Sequence, residues 1–316
     1  MKGIVTASII IGASLLLVGG AIIAVGAIST HNSKIIDTTV EVNDTFENID
    51  INLTIEDITF KPATDGQVKV VFHERENWPH TAVVSDNTLK IDYEDNMKWY
   101  EKIFNWDWRK LSADIYLPAN TYGNLKIKNH TGDVSIPSDY TFASVDSSLS
   151  TGDFYMAGKV TGDIKGRCST GSFKYSGETA NSIDVKTSTG SIQLKNTTVT
   201  GKLKASSDTG SITLQSMKAD ELDAHSDTGS VKIEQTVVTN HMEISTSTGG
   251  VRFFESDAGS IKVKTSTGSV KGSLLTKKIF YAKSSTGHIS VPKYTEGGLC
   301  EISTSTGSIE ITVING

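Results

Sequence analysis

Apolar and polar residues alternate along the last two-thirds of this chain, and the alternation restarts at a nearly constant interval. A Thr-Gly pair marks each restart, and successive glycines of these pairs are 19 or 20 residues apart. The repeated glycines are Gly132, Gly152, Gly171, Gly190, Gly210, Gly229, Gly249, Gly268, Gly287 and Gly307. A fixed period of about twenty residues is typical of a solenoid, in which each repeat is one coil that needs its neighbours.

Aligning the repeats on this glycine indicates which positions face the core. The residue two places after the glycine is always apolar, and the positions four after and seven before it are mostly apolar. Alternation with a period of two is typical of a strand with one buried face. The position three before the glycine is mostly Ser or Thr, and we expect these hydroxyls to satisfy the turn backbone. Glycine itself can supply the positive φ that a tight turn requires.

The pattern predicts an all-β fold, a β-solenoid of about ten coils with two short strands each, over residues 124–316. Residues 34–123 are strand-rich but lack the Thr-Gly repeat, and we interpret them as a β-rich cap. Residues 1–33 form an anchor and a polar exit. The last coil in sequence ends at residues 309–314 and has no obvious cap. Its exposed strand edges could therefore contact a partner protein or another copy of the chain.

An aromatic cluster in the cap segment is the candidate contact site. It consists of Trp99, Tyr100, Phe104, Trp106 and Trp108. We expect it to cover one end of the solenoid, because strand edges at an end must be protected. The alternatives are an exposed surface for membrane, glycan or partner protein, and an interfacial element lying on a bilayer.

Residues 3–28 carry no charge. As a helix rising about 1.5 Å per residue, this segment exceeds the ~30 Å core of a bilayer, so we predict one transmembrane helix. A cleaved signal peptide with a site at residues 24–26 is the rival interpretation, although its apolar region is usually shorter. Lys2 precedes the span and Asp37 follows it, which favours a cytoplasmic N-terminus and an extracytoplasmic solenoid at the cell membrane.

Composition gives no support to a nucleic-acid partner, and we predict none. The chain has 36 acidic and 30 basic residues, so it lacks the basic excess of nucleic-acid-binding proteins. Its cysteines, Cys168 and Cys300, are isolated in sequence and would lie more than about 30 Å apart in the stack. We therefore expect two buried thiols and no disulfide.

Two Asp-Thr-Gly-Ser sequences, beginning at Asp208 and Asp227, resemble the motif of aspartic proteases. They lie 19 residues apart on the repeat turn, where other copies have Ser in place of Asp, so we interpret the aspartates as turn residues. The histidine spacing is not that of a metal site, and the Thr-Gly-Asp sequences lack the ligand density that calcium requires. We predict no enzymatic activity, no cofactor and no metal.

Residues 111–136 read LSADIYLPANTYGNLKIKNHTGDVSI. This segment reads as a strand, then Leu-Pro, then a short spacer and a strand ending in Gly-Asp-Val. In this order it resembles the start of the β-strand repeats in the bacterial "putative adhesin" family of unknown function. The layout is also similar to that of the LiaG-type, membrane-anchored proteins of cell-envelope stress systems. The resemblance covers residues 40–316 and implies an extracytoplasmic, membrane-attached β-solenoid. It implies no particular site residue.

The sequence thus predicts a non-enzymatic, membrane-anchored envelope scaffold or binding protein, and the resemblance implies a role as an accessory to the envelope-stress response. Its expected partners are the membrane, through residues 3–28, and a cell-envelope glycan or membrane protein. Two alternatives stay open. One is a carbohydrate-binding or carbohydrate-cleaving β-helix, and the other is a polymerising scaffold that faces the cytoplasm. The sequence leaves the oligomeric state undetermined.

Overall fold

The computed structural model describes residues 34–93 and 110–315, and every regular element in these ranges is a β-strand. The strands before the first repeat are β1 (Ile35–Val42), β2 (Asn48–Leu53), β3 (Glu56–Pro62), β4 (Val68–Arg75), β5 (His80–Ser85), β6 (Thr88–Tyr93) and β7 (Leu111–Leu117). The membrane span predicted at residues 3–28 and the aromatic cluster of residues 99–108 lie outside the described residues. Among the described residues, no helix is long and apolar enough to cross a bilayer.

The repeats supply the remaining strands. They are β8 (Thr121–Thr131), β9 (Val134–Ile136), β10 (Thr141–Thr151), β11 (Phe154–Met156), β12 (Lys159–Val160), β13 (Asp163–Thr170), β14 (Phe173–Tyr175), β15 (Thr179–Ala180), β16 (Ser182–Thr189), β17 (Ile192–Lys195), β18 (Thr198–Val199), β19 (Lys202–Thr209), β20 (Ile212–Gln215), β21 (Lys218–Thr228), β22 (Val231–Glu234), β23 (Val237–Thr248), β24 (Val251–Thr267), β25 (Val270–Thr276), β26 (Lys278–Ser284), β27 (Ile289–Ser290), β28 (Gly298–Thr306) and β29 (Ile309–Asn315).

The coils stack as parallel strands in two sheets. Strands that precede the Thr-Gly turns pair with one another and form what we call the leading sheet, and strands that follow the turns form the trailing sheet. Equivalent repeat positions lie side by side, so that Ile164 pairs with Val145 on one side and Ile183 on the other. This arrangement confirms the predicted β-solenoid of about ten coils.

The core lies between the two sheets and is built from ladders of like residues. Ile192, Ile212 and Val231 occupy the position two after the glycine in successive coils, and all three are buried. The hydroxyl ladder is also confirmed, because Ser207 Oγ donates to the Gly190 carbonyl at 3.0 Å and Thr246 Oγ1 donates to the Gly249 carbonyl at 2.8 Å. These bonds satisfy turn carbonyls that would otherwise be buried without a partner.

The repeated glycines stack on one another. This stacking explains why the position is glycine in every repeat better than the turn conformation alone does. Eight of the ten have positive φ, whereas Gly268 and Gly287 do not. At each of the ten, a Cβ would overlap a backbone carbonyl oxygen of the neighbouring coil, as at Gly229, where that oxygen belongs to Gly210. Glycine is therefore required at this turn, where a side chain would overlap the carbonyl of the neighbouring coil.

At both ends, the spatial order of the coils differs from their order in sequence. The coil formed by β2 and β3 lies between β8/β9 and a coil formed by β6 and β7. At the other end, β28/β29 lies between β24/β25 and β26/β27. The expectation that the last coil in sequence forms the open end was wrong, because β26/β27 lies outermost and the C-terminal coil is inserted beneath it.

A buried ion pair fastens the inserted C-terminal coil. Lys278 Nζ of β26 contacts Asp257 Oδ1 of β24 at 2.6 Å, and both side chains are more than nine-tenths buried. The two strands are separated by β28, whose Gly298 is paired with Lys278 and offers no side chain to obstruct it. The lysine therefore reaches across the inserted strand to its partner.

Surface charge in the leading sheet also favours this interleaved order. One outward position carries, in spatial order, Lys90, Asp50, Lys126, Asp146, Lys165, Asp184, Lys204, Asp223, Glu243, Lys262, Glu301 and Tyr281. We call this series the charge ladder. Positive and negative side chains alternate from strand to strand, with a single pair of like charges in the series. If the coils were stacked in sequence order, Lys90 would instead lie against Lys126. Like charges on directly opposed residues are destabilising.

Asp50→Lys tests the charge ladder. It places three lysines side by side and removes the ion pair between Asp50 Oδ2 and Lys126 Nζ at 3.2 Å. We expect the free energy of unfolding to fall by about 1–2 kcal/mol, with part of the loss recovered in high salt because these charges are solvent-exposed. Urea unfolding at low and high salt measures both effects. Asp220→Lys, an exposed position outside the ladder, makes the same charge change, and an equal loss there would contradict the assignment.

Both cysteines are buried free thiols, as predicted. Burial raises the pKa of Cys168 and of Cys300 to about 12. Neither thiol therefore ionises near neutral pH, and both act as small apolar core residues.

Candidate functional site

The outer face of the trailing sheet changes character along the stack. In its first three coils, the position that leads into the trailing strand is aspartate, and each carboxylate accepts a backbone N–H of the next coil. Asp57 Oδ1 accepts from the Asp133 N–H at 2.9 Å, Asp133 Oδ1 from Asp153 at 2.8 Å, and Asp153 Oδ1 from Ser172 at 2.8 Å. These aspartates therefore hold the coils together.

From Ser172 to Ser269 small residues replace these aspartates, and in the C-terminal half cations lie beside them in three adjacent coils. The position after the glycine is Ser211, Ser230, Gly250 and Ser269 in successive coils, and two places further lie Thr213, Lys232, Arg252 and Lys271. These residues line a cavity of about 490 Å³, which we call the basic groove. Lys232 pairs with Arg252 and Arg252 with Lys271 in the strand register, so the backbone positions of the three residues are about 5 Å apart along the stack.

The basic groove continues into a second cavity of about 660 Å³, and Lys271 lines both. Phe254, Gly272, Ser290 and Thr312 are among the residues that line the second cavity. A bulge interrupts the strand here, because the register shifts between Phe253 and Ser256. At this bulge the Phe254 side chain remains 50% exposed beside the cations.

The three cations differ in how far they are neutralised. Lys232 Nζ lies 2.6 Å from Glu234 Oε1, and Lys271 Nζ lies 2.9 Å from Glu310 Oε1. Arg252 makes no ion pair within the part of the chain that the structure describes. The guanidinium therefore lies between two like charges and is available to an anion from solution.

A second cluster of charged side chains lies in the cap and is fully buried. The His80 ring donates from Nδ1 to Glu74 Oε2 at 2.7 Å and from Nε2 to Glu56 Oε1 at 3.0 Å. Burial opposes the charged ring, but the hydrogen bonds and charges of both glutamates outweigh it and raise the pKa of His80. For Glu56, burial is likewise outweighed, by His80 and two backbone N–H donors, and its pKa is lowered. Since its three members are at most 5% exposed, we assign this cluster a structural role.

Of the residues singled out from sequence, the structure brings the ten glycines together in one ladder. The aromatic candidates at positions 99–108 lie outside the described residues. Sequence reasoning missed the basic groove, although its signal was present: three successive repeats carry a cation three places after the glycine. It also missed the His80 cluster, for which the sequence offers no local signal.

The family model for Toastrack DUF4097 matches the chain twice, over residues 46–208 and 177–315. No curated protein matches the chain. Among solved structures, the chain is similar to a "putative lipid binding protein" from Parabacteroides distasonis, with 16% identity, 89% of this chain and 98% of that chain covered, and a TM-score of 0.44. It is also similar to a "putative adhesin" from Parabacteroides merdae, with 11% identity, coverage of 89% and 97%, and a TM-score of 0.41.

A further "putative adhesin" of this kind comes from Bacteroides fragilis. It is 16% identical, the alignment covers 88% of this chain and 97% of that chain, and the TM-score is 0.36. In each of the three cases the alignment spans nearly all of the solved chain.

Proposed function

This chain belongs to the Toastrack DUF4097 family, and we propose that it is a non-enzymatic binding scaffold of the cell envelope. The family match confirms the resemblance to the "putative adhesin" family that residues 111–136 carry. In this proposal residues 3–28 anchor the chain in the cell membrane and the solenoid stands on the extracytoplasmic side. The protein acts there as an accessory to the envelope-stress response, and the basic groove is its contact surface.

The observation that carries the binding role is the run of cations in the basic groove. Lys232, Arg252 and Lys271 are held on three adjacent parallel strands, whose inward neighbours are locked in the core ladders. Close packing of that core fixes the spacing of the backbone positions from which these side chains extend. A rigid row of like charges suits an extended ligand that carries repeated negative charge.

The same geometry favours binding over cleavage. Hydrolysis of a glycosidic bond usually requires two carboxyl groups on either side of that bond. Glu234, on the same strand as Lys232, is ion-paired with that lysine, and in the adjoining cavity Glu310 is ion-paired with Lys271. Both carboxylates are therefore occupied in neutralising cations.

Protease shaving of intact cells tests the location on which this proposal depends. The full chain carries an epitope tag after Gly316, and lysed cells and a cytoplasmic marker protein serve as controls. We expect the tag to be lost from intact cells while the marker is retained. Protection of the tag until lysis would contradict the proposal and favour a scaffold that faces the cytoplasm.

A further inference from the structure

We infer that the basic groove binds a linear acidic glycan, whose carboxylates contact Arg252 and Lys271 and whose sugar rings pack against Phe254. This inference rests on the proposed function and names its ligand class. The glycan runs along the axis of the stack, because the two cavities that share Lys271 extend in that direction.

The first argument is the sign of the charges. In the charge ladder of the leading sheet, cations and anions alternate, and only one charged step joins like signs. In the basic groove, three cations are adjacent, although like charges on directly opposed residues destabilise a sheet. An anionic ligand along this row offsets the repulsion, and this departure from alternation distinguishes the groove from the charge ladder.

The second argument is the chemistry of Arg252. Its neighbours Lys232 and Lys271 already contact glutamates, whereas Arg252 has no such contact among the described residues. A guanidinium presents a planar set of donors that binds a carboxylate through two parallel hydrogen bonds. Arg252 is therefore the centre of anion recognition, and the lysines add charge on either side.

The third argument concerns the uncharged lining, which favours a sugar over a lipid chain. Phe254 exposes half of its side chain and offers an apolar ring to one face of a sugar. Hydroxyls surround it and the cations, from Ser211, Ser230 and Ser269 in the first cavity and from Ser290 and Thr312 in the second. A groove with this mixture matches alternating C–H and O–H groups, whereas an acyl chain requires an enclosed apolar cavity.

The test measures calorimetric binding of oligogalacturonate by the full chain in micelles of an uncharged detergent. Its methyl ester, of equal length and without charge, is the ligand control. We expect the ester to bind at least about 10-fold more weakly, and Arg252→Ala to lose about 10- to 100-fold in affinity for the acid. Arg167→Ala is the matched variant, since Arg167 lies on the leading sheet with Asp184 as its partner, and its affinity should equal that of the unchanged chain.

Phe254→Ala separates glycan recognition from general attraction of anions. We expect this substitution to weaken the binding of oligogalacturonate several-fold and to leave the binding of inorganic polyphosphate unchanged. Tyr281 is also exposed, and Tyr281→Ala should change the affinity for neither anion. Equal affinity for both anions with no effect of Phe254→Ala would overturn the inference, as would absence of binding. If the binding test fails but the tag is lost from intact cells, the glycan inference is wrong and the proposed function stands. If the tag is protected in intact cells, the proposed function is wrong whatever the binding result.

Discussion

Gly229→Val is expected to unfold the centre of the solenoid. The backbone at Gly229 has a φ of 155°, which a β-branched residue rarely adopts. Its new Cβ would also overlap the Gly210 carbonyl oxygen, which belongs to the backbone of the neighbouring coil and cannot rotate away. Together these effects should lower the free energy of unfolding by about 3–5 kcal/mol. Thermal and urea unfolding, followed by circular dichroism, measure the loss.

Two matched variants divide this loss between its causes. Gly66 has a φ of 75° and no atom within 4 Å of an added Cβ, so Gly66→Val reports backbone strain alone, about 1–2 kcal/mol. Gly268 lies outside the positive-φ range, yet its Cβ would overlap the Gly249 carbonyl oxygen, so Gly268→Val reports the clash alone. If Gly268→Val unfolds like the unchanged chain, close stacking is not the reason for the repeated glycine.

The middle of the fold could be predicted from the sequence because its contacts repeat. In a parallel stack each residue meets its own equivalent, so a position that must be apolar in one coil must be apolar in all. Ile212 and its equivalents display this rule directly, as do the hydroxyls of Ser207 and Thr246. The glycine was correctly assigned to the turn, but the closer constraint is the neighbouring carbonyl, which only the stacked backbone reveals.

The ends could not be predicted in the same way, because there the neighbours in space are not the neighbours in sequence. A partial signal existed in the charges. Asp50 fits between Lys90 and Lys126, whereas sequence order would oppose the two lysines. A single such step does not determine a topology from sequence, and the crossing of Lys278 over Gly298 depends on side-chain reach that periodicity does not encode.

The basic groove could be predicted only in part from the sequence. Three cations at one outward position follow from aligning the repeats, but an exposed lysine on a strand is ordinary when taken singly. What makes the position a groove is the row of small residues beside it, together with the bulge at Phe253–Ser256, where the half-exposed Phe254 lies. A bulge breaks the repeat, so the repeat cannot predict it.

His80→Ala is expected to destabilise the cap more than any surface substitution. It leaves Glu56 and Glu74 buried without the cation that lies between them, and breaking a buried pair of this kind costs about 3–5 kcal/mol. The glutamates belong to β3 and β4, so the loss should loosen the cap from the first coils. Unfolding of the His80→Ala variant in urea at pH 6 measures it. His225→Ala removes a half-exposed histidine and should change the midpoint little.

The pH dependence of this cluster follows from the direction of its shifts. The pKa of His80 is raised from 6.5 in the folded state. The contribution of His80 to the free energy of unfolding is therefore fully present below pH 6.5, and it is lost as the pH rises through the higher pKa of the folded state. The pKa of Glu56 is lowered from 4.5, so its contribution is present above pH 4.5 and is lost as the pH falls through the folded value. The cap should therefore be most stable between these two ordinary values, and the difference between the unchanged chain and His80→Ala should shrink above pH 6.5. A difference that stays constant into alkaline pH would show that His80 is neutral in the folded cap.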